Sequence, residues 1–273
     1  MKRLLAVVAV AVSSSTALAD IPPPSPATPV APVADAPPAN APPAEPVKVD
    51  PLAEPRDLIE VAANTVANLK KAVELYEVAL KDETLDKKVR AEGWADVARA
   101  YLRWGDLLKG DAEKIATYEK GVAAGKKGEA IDAKSASSIF WGNANQACVG
   151  RTRGVMNSLF MLGDLKKGMN RVLELNPNYH LARNTLGEID HSVPGIAGGS
   201  DDRAEKAYLE VLRRDPHFTP TMVLLAKLKR DRGDDDEAKV WAQKAVDEKA
   251  ANPRNDWKKF DLKEAKALLQ ELK

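Results

Sequence analysis

The chain has 273 residues, and its 41 lysines and arginines nearly balance its 40 aspartates and glutamates, for a net charge of +1. This balance argues against a strongly basic nucleic-acid-binding protein and against an acidic tail protein. The single cysteine excludes an internal disulfide framework and a cysteine-based zinc site. Aromatic residues make up only 5% of the chain, whereas alanine and leucine are frequent, which is typical of closely packed helices.

Residues 1–19 are typical of a secretory signal peptide. A positively charged start is followed by the apolar run Leu4 to Val12 and by the small-residue cleavage pattern Ala17-Leu18-Ala19. The apolar run is too short to span a bilayer, so we expect cleavage before Asp20 and a periplasmic or otherwise exported protein without a transmembrane anchor. The only cysteine is Cys148, far from the cleavage point, and the sequence therefore does not predict a lipoprotein.

Residues 20–55 are rich in proline and alanine, and they hold 13 of the chain's 18 prolines. Such a segment buries too little apolar surface to offset its ordering entropy, and proline favours the extended polyproline II conformation. At ~3.1 Å per residue its reach would be on the order of 100 Å. We predict a disordered linker that acts as a spacer; a proline-rich ligand for a recruited partner is the alternative.

Residues 56–273 are predicted to form a single all-α domain. Only five prolines remain after Pro55, apolar residues recur at spacings of three and four, and no segment alternates with period two for long enough to form a strand. About ten helices are expected, at 58–80, 88–107, 111–131, 135–149, 154–175, 179–191, 202–214, 219–232, 235–248 and 261–272.

Three prolines that end helices recur at similar distances. Pro177 and Pro216 are 39 residues apart, and Pro216 and Pro253 are 37 apart, which is typical of repeated helix pairs. The residues that match the tetratricopeptide pattern are Leu186, Gly187, Ala204, Tyr208 and Val211, with five extra residues between the two helices, within 192–200. Such pairs stack into a curved array, because one pair alone leaves an apolar face exposed. A non-repeating helical bundle is the alternative.

Several longer motifs accompany the repeats: Leu173-Glu174-Leu175-Asn176-Pro177-Asn178-Tyr179, Leu186-Gly187, Pro194 with Gly198-Gly199, Ala204-Glu205-Lys206-Ala207-Tyr208, Ile139-Phe140-Trp141 and Asn252-Pro253. With them, residues 91–272 resemble the T component of tripartite ATP-independent periplasmic (TRAP) transporters. That resemblance implies a non-catalytic helical-repeat protein that associates with a periplasmic solute-binding subunit and holds an apolar small ligand. Many members carry a lipid on an N-terminal cysteine, which this sequence lacks. A general cell-envelope scaffold for other proteins is the alternative, and homo-oligomerisation stays open.

One group of polar and aromatic residues is the candidate ligand or partner face. Its members are Phe140, Trp141, Asn145, Cys148, Tyr179, His180 and His191. On a helix Trp141, Asn145 and Cys148 share one side, which is also what a packed core face would show. A second group, Pro194, Gly195, Gly198 and Gly199, is predicted to be a structural loop, since glycine permits backbone conformations closed to other residues.

The sequence predicts no catalytic residue, no bound metal and no cofactor. His180 and His191 would lie ~16 Å apart along a helix, too far to share a metal ion. The segment from Gly121 to Lys127 is one residue too short between its glycines for a phosphate loop and lacks a serine or threonine after the lysine. Residues 101–171 carry five more positive than negative charges, which suits either an acidic partner or solvated helix faces.

Overall fold

The computed structural model describes residues 50–273, apart from the side chain of Val155. The predicted signal peptide at 1–19 and the predicted linker up to residue 49 lie outside the described residues. Over residues 50–273 the chain forms eleven helices of eight or more residues and no β-strand. Helices α1 to α11 are Ala53–Glu60, Val66–Ala79, Lys87–Leu107, Asp111–Ile131, Ala136–Arg153, Val155–Leu175, His180–Ser192, Asp201–Arg214, Thr219–Arg232, Asp235–Asp247 and Leu262–Glu271.

The amino-terminal boundary differs from the sequence prediction. Helix α1 begins at Ala53, inside the segment predicted as linker up to residue 55, because Leu52 is only 1% exposed and anchors the chain to the main core. The single helix predicted for 58–80 is divided in two. The division falls at Thr65, whose hydroxyl accepts a hydrogen bond from the Asn68 amide and caps α2.

Successive helices pack as hairpins, and first helices of neighbouring pairs also meet, α3 with α5 and α7 with α9. Small residues at the crossings allow the close approach. A side chain at Gly187 of α7 would stand 2.5 Å from the Tyr208 ring of α8, and one at Gly125 of α4 would stand 2.5 Å from Gly142 of α5. The array is thus all-α and built of paired helices over residues 50–273, as the repeat spacing predicts.

The predicted glycine loop joins α7 to α8. Pro194 precedes a short 3₁₀ turn, Gly195–Ala197, and Gly198 follows with φ +90°, a left-handed conformation that favours glycine. A side chain on Gly199 would collide with the Val193 carbonyl oxygen. Gly198 and Gly199 therefore fix the path of the chain into α8, whereas Gly195 has open space around it.

The two ends of the described chain meet through a buried ion network. The Arg103 guanidinium of α3 donates to both carboxylate oxygens of Asp256, at 2.8 and 2.9 Å, and also to the carbonyl of Ile59 at the end of α1. Lys259 donates to the Ile59 and Glu60 carbonyls. The residues before α11 are therefore held against α1 and α3. These contacts join the carboxyl-terminal part of the array to its first helices.

The carboxyl-terminal helix begins earlier than predicted, because helical residues run without a break from Arg254 to Glu271. Residues 257–261 form a single π-helical stretch within this run, and α11 follows from Leu262. Asp261 was predicted to begin this helix, but its side chain is buried and accepts a hydrogen bond of 2.7 Å from the Thr219 hydroxyl of α9. Burial raises the pKa of Asp261 to about 7. Asp261 thus ties α11 to α9.

Candidate functional site

A cavity of about 540 Å³ opens where α3, the start of α5 and the connection between α6 and α7 come together, with α1 at its edge. We call it the α3–α5 cavity. Helix α3 contributes one side of it through a stripe of polar residues at spacings of four, four and three: Lys88, Glu92, Asp96 and Arg99. These positions share a helix face, so a single helix lines most of one wall.

The floor of the cavity is aromatic. Trp141 and Tyr179 line it, and Phe140 packs behind them with its ring centroid 5.0 Å from each of the two. All three rings are only 2% exposed. The Tyr179 hydroxyl is buried beside Ser137 but makes no hydrogen bond of ordinary geometry within residues 50–273. A buried hydroxyl of this kind can donate to a ligand that enters the cavity.

The inner wall is rigid. Asp96 accepts hydrogen bonds from the Tyr76 hydroxyl at 2.7 Å and from Arg99 at 2.8 Å. Arg99 also reaches Glu60 of α1 at 3.1 Å and is only 3% exposed at its side chain. Both Asp96 and Arg99 therefore already have partners of opposite charge or hydrogen-bonding partners within the protein. Asp96 and Arg99 therefore shape the cavity rather than await a partner.

The rim is cationic, and part of its charge is uncompensated. Arg56 is paired with Asp50 at 2.9 Å. Lys88 and Lys134 are exposed and form no ion pair with any residue of the described chain. The lining holds four cationic side chains against the two carboxylates of Glu92 and Asp96. A ligand at the mouth would meet a local excess of positive charge.

The structure brings only part of the predicted ligand face to this cavity. Trp141 and Tyr179 line it, whereas Asn145 and Cys148 lie in the core. Asn145 donates to the carbonyls of Ala98 and Trp141 and so ties α5 to α3. Burial raises the pKa of the Cys148 thiol to about 12, which keeps it protonated and unreactive at neutral pH.

The two histidines of the predicted face lie elsewhere. His180 packs edge-on against Phe218, with ring centroids 5.0 Å apart. His191 lies between the carboxylates of Asp201 and Asp231, at 2.8 and 3.1 Å. Burial alone would lower the pKa of His191, but the two carboxylates outweigh it and raise the pKa. Both histidines therefore join helices, and neither lines the α3–α5 cavity.

Sequence reasoning missed the charged residues of the cavity. The polar stripe on α3 interrupts an alanine-rich helix, and a helical plot of residues 88–99 would have shown it. No local pattern places Lys134 beside that stripe, because this contact depends on how α5 packs against α3.

Residues 50–273 offer neither a metal site nor a membrane span. No group of three or more histidine, cysteine, aspartate or glutamate side chains there is arranged to hold a metal ion. None of the helices in the same range has the length and hydropathy needed to cross a membrane.

Comparison with known proteins identifies the fold. No protein-family model matches the sequence, and no curated protein matches it. Among solved structures, the crystal structure of a thermophilic TPR protein from Thermus thermophilus is similar, with a TM-score of 0.58 and 20% sequence identity. The match covers 80% of this chain and 97% of that one. At this identity the similarity establishes a tetratricopeptide-like fold.

Proposed function

We propose that this protein is a non-catalytic scaffold that binds a segment of another protein in the α3–α5 cavity. The observation that carries the proposal is the cavity itself, in which an aromatic floor and a cationic rim lie between consecutive helix pairs. Its volume of about 540 Å³ lies within the range of sites that bury a drug-sized ligand. Arrays of helix pairs present such surfaces to protein partners.

The resemblance to TRAP T components supports a narrower proposal for the partner. The most specific motif of that resemblance, residues 173–179, contributes Leu175, Asn176 and Tyr179 to the cavity. We therefore propose a periplasmic solute-binding protein as the partner, met after export and removal of residues 1–19. A different cell-envelope protein is the second candidate, and the Pro/Ala-rich residues 20–49 would give the array the reach to find it.

Photo-cross-linking in the producing cell tests for the partner. A photoreactive phenylalanine replaces Val89, which lines the cavity and is exposed, or, as a remote control, Lys239 on the exposed side of α10. We expect one protein to be cross-linked from position 89 and not from position 239. Mass spectrometry of the adduct names that protein and thereby separates a solute-binding subunit from another envelope protein.

A matched pair of variants then tests the cavity. Ala136 lines the cavity at the start of α5, whereas Ala133, three residues earlier, is exposed outside it. Ala136→Trp should weaken binding of the cross-linked partner at least tenfold, because the indole fills the mouth without changing any charge. Ala133→Trp should bind normally, and circular dichroism should show equal helicity for both variants. Equal binding by the two variants would remove the cavity from the proposal.

A further inference from the structure

We infer that the segment bound in the α3–α5 cavity is acidic, with its carboxylates against Lys88 and Lys134 and an apolar side chain between them on the aromatic floor. This inference rests on the proposed scaffold function and specifies the chemistry of its partner. Three observations support it: which charged side chains of the cavity are already paired, how the lining compares with that of a second groove, and which hydrogen-bond donors lie at the base of the cavity.

The carboxylates and the lysines that face the cavity differ in whether other residues of the protein already bind them. Each carboxylate of the lining has a donor within the protein: Tyr76 and Arg99 for Asp96, and the Ser135 hydroxyl at 3.1 Å for Glu92. The two rim lysines have no such partner in the described chain. An incoming anion therefore finds two lysines without an ion pair. An incoming cation finds Asp96 already neutralised by Arg99 and only Glu92 without an ion pair, held by the Ser135 hydroxyl.

The groove between α7 and α8 shows that this is not a general property of the surface. That groove is lined by four cationic and four anionic side chains. Its four carboxylates are all paired: Asp190 with Arg203, Glu210 with Arg213, Glu205 with Lys229 and Asp202 with Arg232. The α3–α5 cavity has the same number of cations and only two carboxylates, so its lining has a net charge of +2. The groove also holds two cations, Arg183 and Lys206, that form no ion pair within residues 50–273, but its lining has no net charge.

The floor supplies the second element of recognition. The Tyr179 and Ser137 hydroxyls lie together at the base, and the Tyr179 hydroxyl makes no well-formed hydrogen bond within residues 50–273. The Tyr179 hydroxyl can donate to a backbone carbonyl or a carboxylate of an extended segment, whereas the Ser137 hydroxyl already lies against Glu92 and Tyr179. The Trp141 ring beside them offers an apolar surface. A segment with an acidic residue next to an apolar one would place its carboxylate at the rim lysines and its apolar side chain on the Trp141 ring.

Selection from a random dodecapeptide phage library tests the inference. The baits are the full-length wild type, Ala136→Trp, the double reversal K88E/K134E, and K87E/K109E, which reverses two exposed lysines outside the cavity. The wild-type pool should be enriched in Asp and Glu relative to the Ala136→Trp pool. K87E/K109E should retain that enrichment, and K88E/K134E should lose it or replace it with Lys and Arg.

A peptide from the wild-type pool gives the quantitative result by fluorescence anisotropy. We expect its affinity to fall at least tenfold on K88E/K134E and on replacement of its own acidic residues by Gln or Asn. Its affinity should also fall with rising salt, because exposed charge pairs are screened. Equal pools from the wild type and Ala136→Trp would overturn the proposed function at this site.

Two further outcomes distinguish the acidic inference from the proposed function. A wild-type pool that differs from the Ala136→Trp pool but is neutral or basic would leave the scaffold standing and exclude an acidic segment. Displacement of the peptide by glutarate at equal carboxylate concentration would instead overturn the proposed function at this site, because it would assign the cavity to small organic anions rather than to a protein segment.

Discussion

Helix α3 carries two sets of positive charges that differ in burial and pairing. Arg99 and Arg103 lie inside the array with side chains 3% and 1% exposed, and both are held by carboxylates of other helices or of the chain before α11. Lys88, three turns earlier, is exposed at the cavity rim and has no ion-pair partner among residues 50–273. Residues of the same charge on one helix therefore have different roles, which burial and pairing distinguish.

The difference separates stability from binding. Removal of one partner of a buried ion pair leaves the other charge desolvated, and this is strongly destabilising. An exposed lysine contributes little to folding, since water solvates it in both the folded and the unfolded states. Substitutions in the ion network should therefore lower the free energy of unfolding, whereas substitutions at the rim should change affinity only.

The largest effect is expected at the ion network. Asp256→Ala removes the carboxylate from the buried Arg103 and should lower the free energy of unfolding by about 3–5 kcal/mol. Asp202→Ala is the control, because Asp202 pairs with Arg232 at the surface with its own side chain 95% exposed, and its loss should cost at most about 1 kcal/mol. Urea unfolding followed by circular dichroism measures both. Equal losses would contradict the distinction between buried and exposed pairs.

The second effect concerns a buried carboxyl group without a hydrogen-bond partner among residues 50–273. Glu188 of α7 is 1% exposed, neither carboxyl oxygen makes a hydrogen bond within the described chain, and burial raises its pKa to about 8. The folded state thus keeps a proton that the unfolded state releases above pH ~4.5, so stability falls as pH rises from that value to about 8. Glu188→Gln should remove this loss and exceed the wild type by roughly 2–4 kcal/mol at pH 9.

Unfolding at pH 6 and pH 9 checks this prediction, with Glu174→Gln as the control. Glu174 has a side chain 66% exposed, and its substitution should leave the pH dependence unchanged. A wild type as stable at pH 9 as at pH 6 would mean that Glu188 ionises inside the protein without cost.

The third effect appears in binding. K88E/K134E should keep the free energy of unfolding within about 0.5 kcal/mol of the wild type, since both lysines are exposed. The same variant should bind the cross-linked partner roughly tenfold more weakly, because each reversal replaces attraction with repulsion. Titration calorimetry and urea unfolding on one preparation compare the two quantities. A parallel loss of stability would show that the rim lysines are structural.

The smallest effect is expected at His191. This side chain is partly buried and paired, and so lies between the buried, paired arginines of α3 and its exposed, unpaired Lys88. The raised pKa of His191 means that its carboxylate contacts stabilise the fold fully below pH ~6.5, the unfolded value, and that this contribution is lost as pH rises through the folded pKa. His191→Gln should cost about 0.5–1 kcal/mol at pH 5.5 and less at pH 8.5. A larger cost at pH 8.5 would reverse the assigned sign.

Most of the fold could be predicted from the sequence, because it rests on local signals. Apolar spacing and the prolines at 177 and 216 located helices α3 to α10 to within a few residues, and Gly187 with Tyr208 indicated the crossing of one pair. The predicted helix boundaries are wrong where a contact between residues far apart in the sequence determines the structure. Leu52 and Pro55 read as linker among other prolines, yet the core buries them, and the side chain of Asp261 bonds to Thr219 instead of beginning a helix.

The candidate site was predicted only in part, for a related reason. Trp141 and Tyr179 stood out because aromatic residues are few, and both line the cavity. Asn145 and Cys148 shared a helix face with Trp141, but the sequence does not tell which side of that face the next helix covers. The rim lysines were indistinguishable from other surface lysines until α3 and α5 were placed side by side.

A charge-swap titration tests the central claim most directly. An acidic peptide selected on the wild type, and a second peptide with Lys at each acidic position, are titrated into the wild type and into K88E/K134E. The account predicts a crossover, in which the acidic peptide prefers the wild type and the lysine peptide prefers the variant, each by tenfold or more. If both peptides lose affinity for the variant alike, or neither responds to the swap, Lys88 and Lys134 do not recognise the charge of the bound segment.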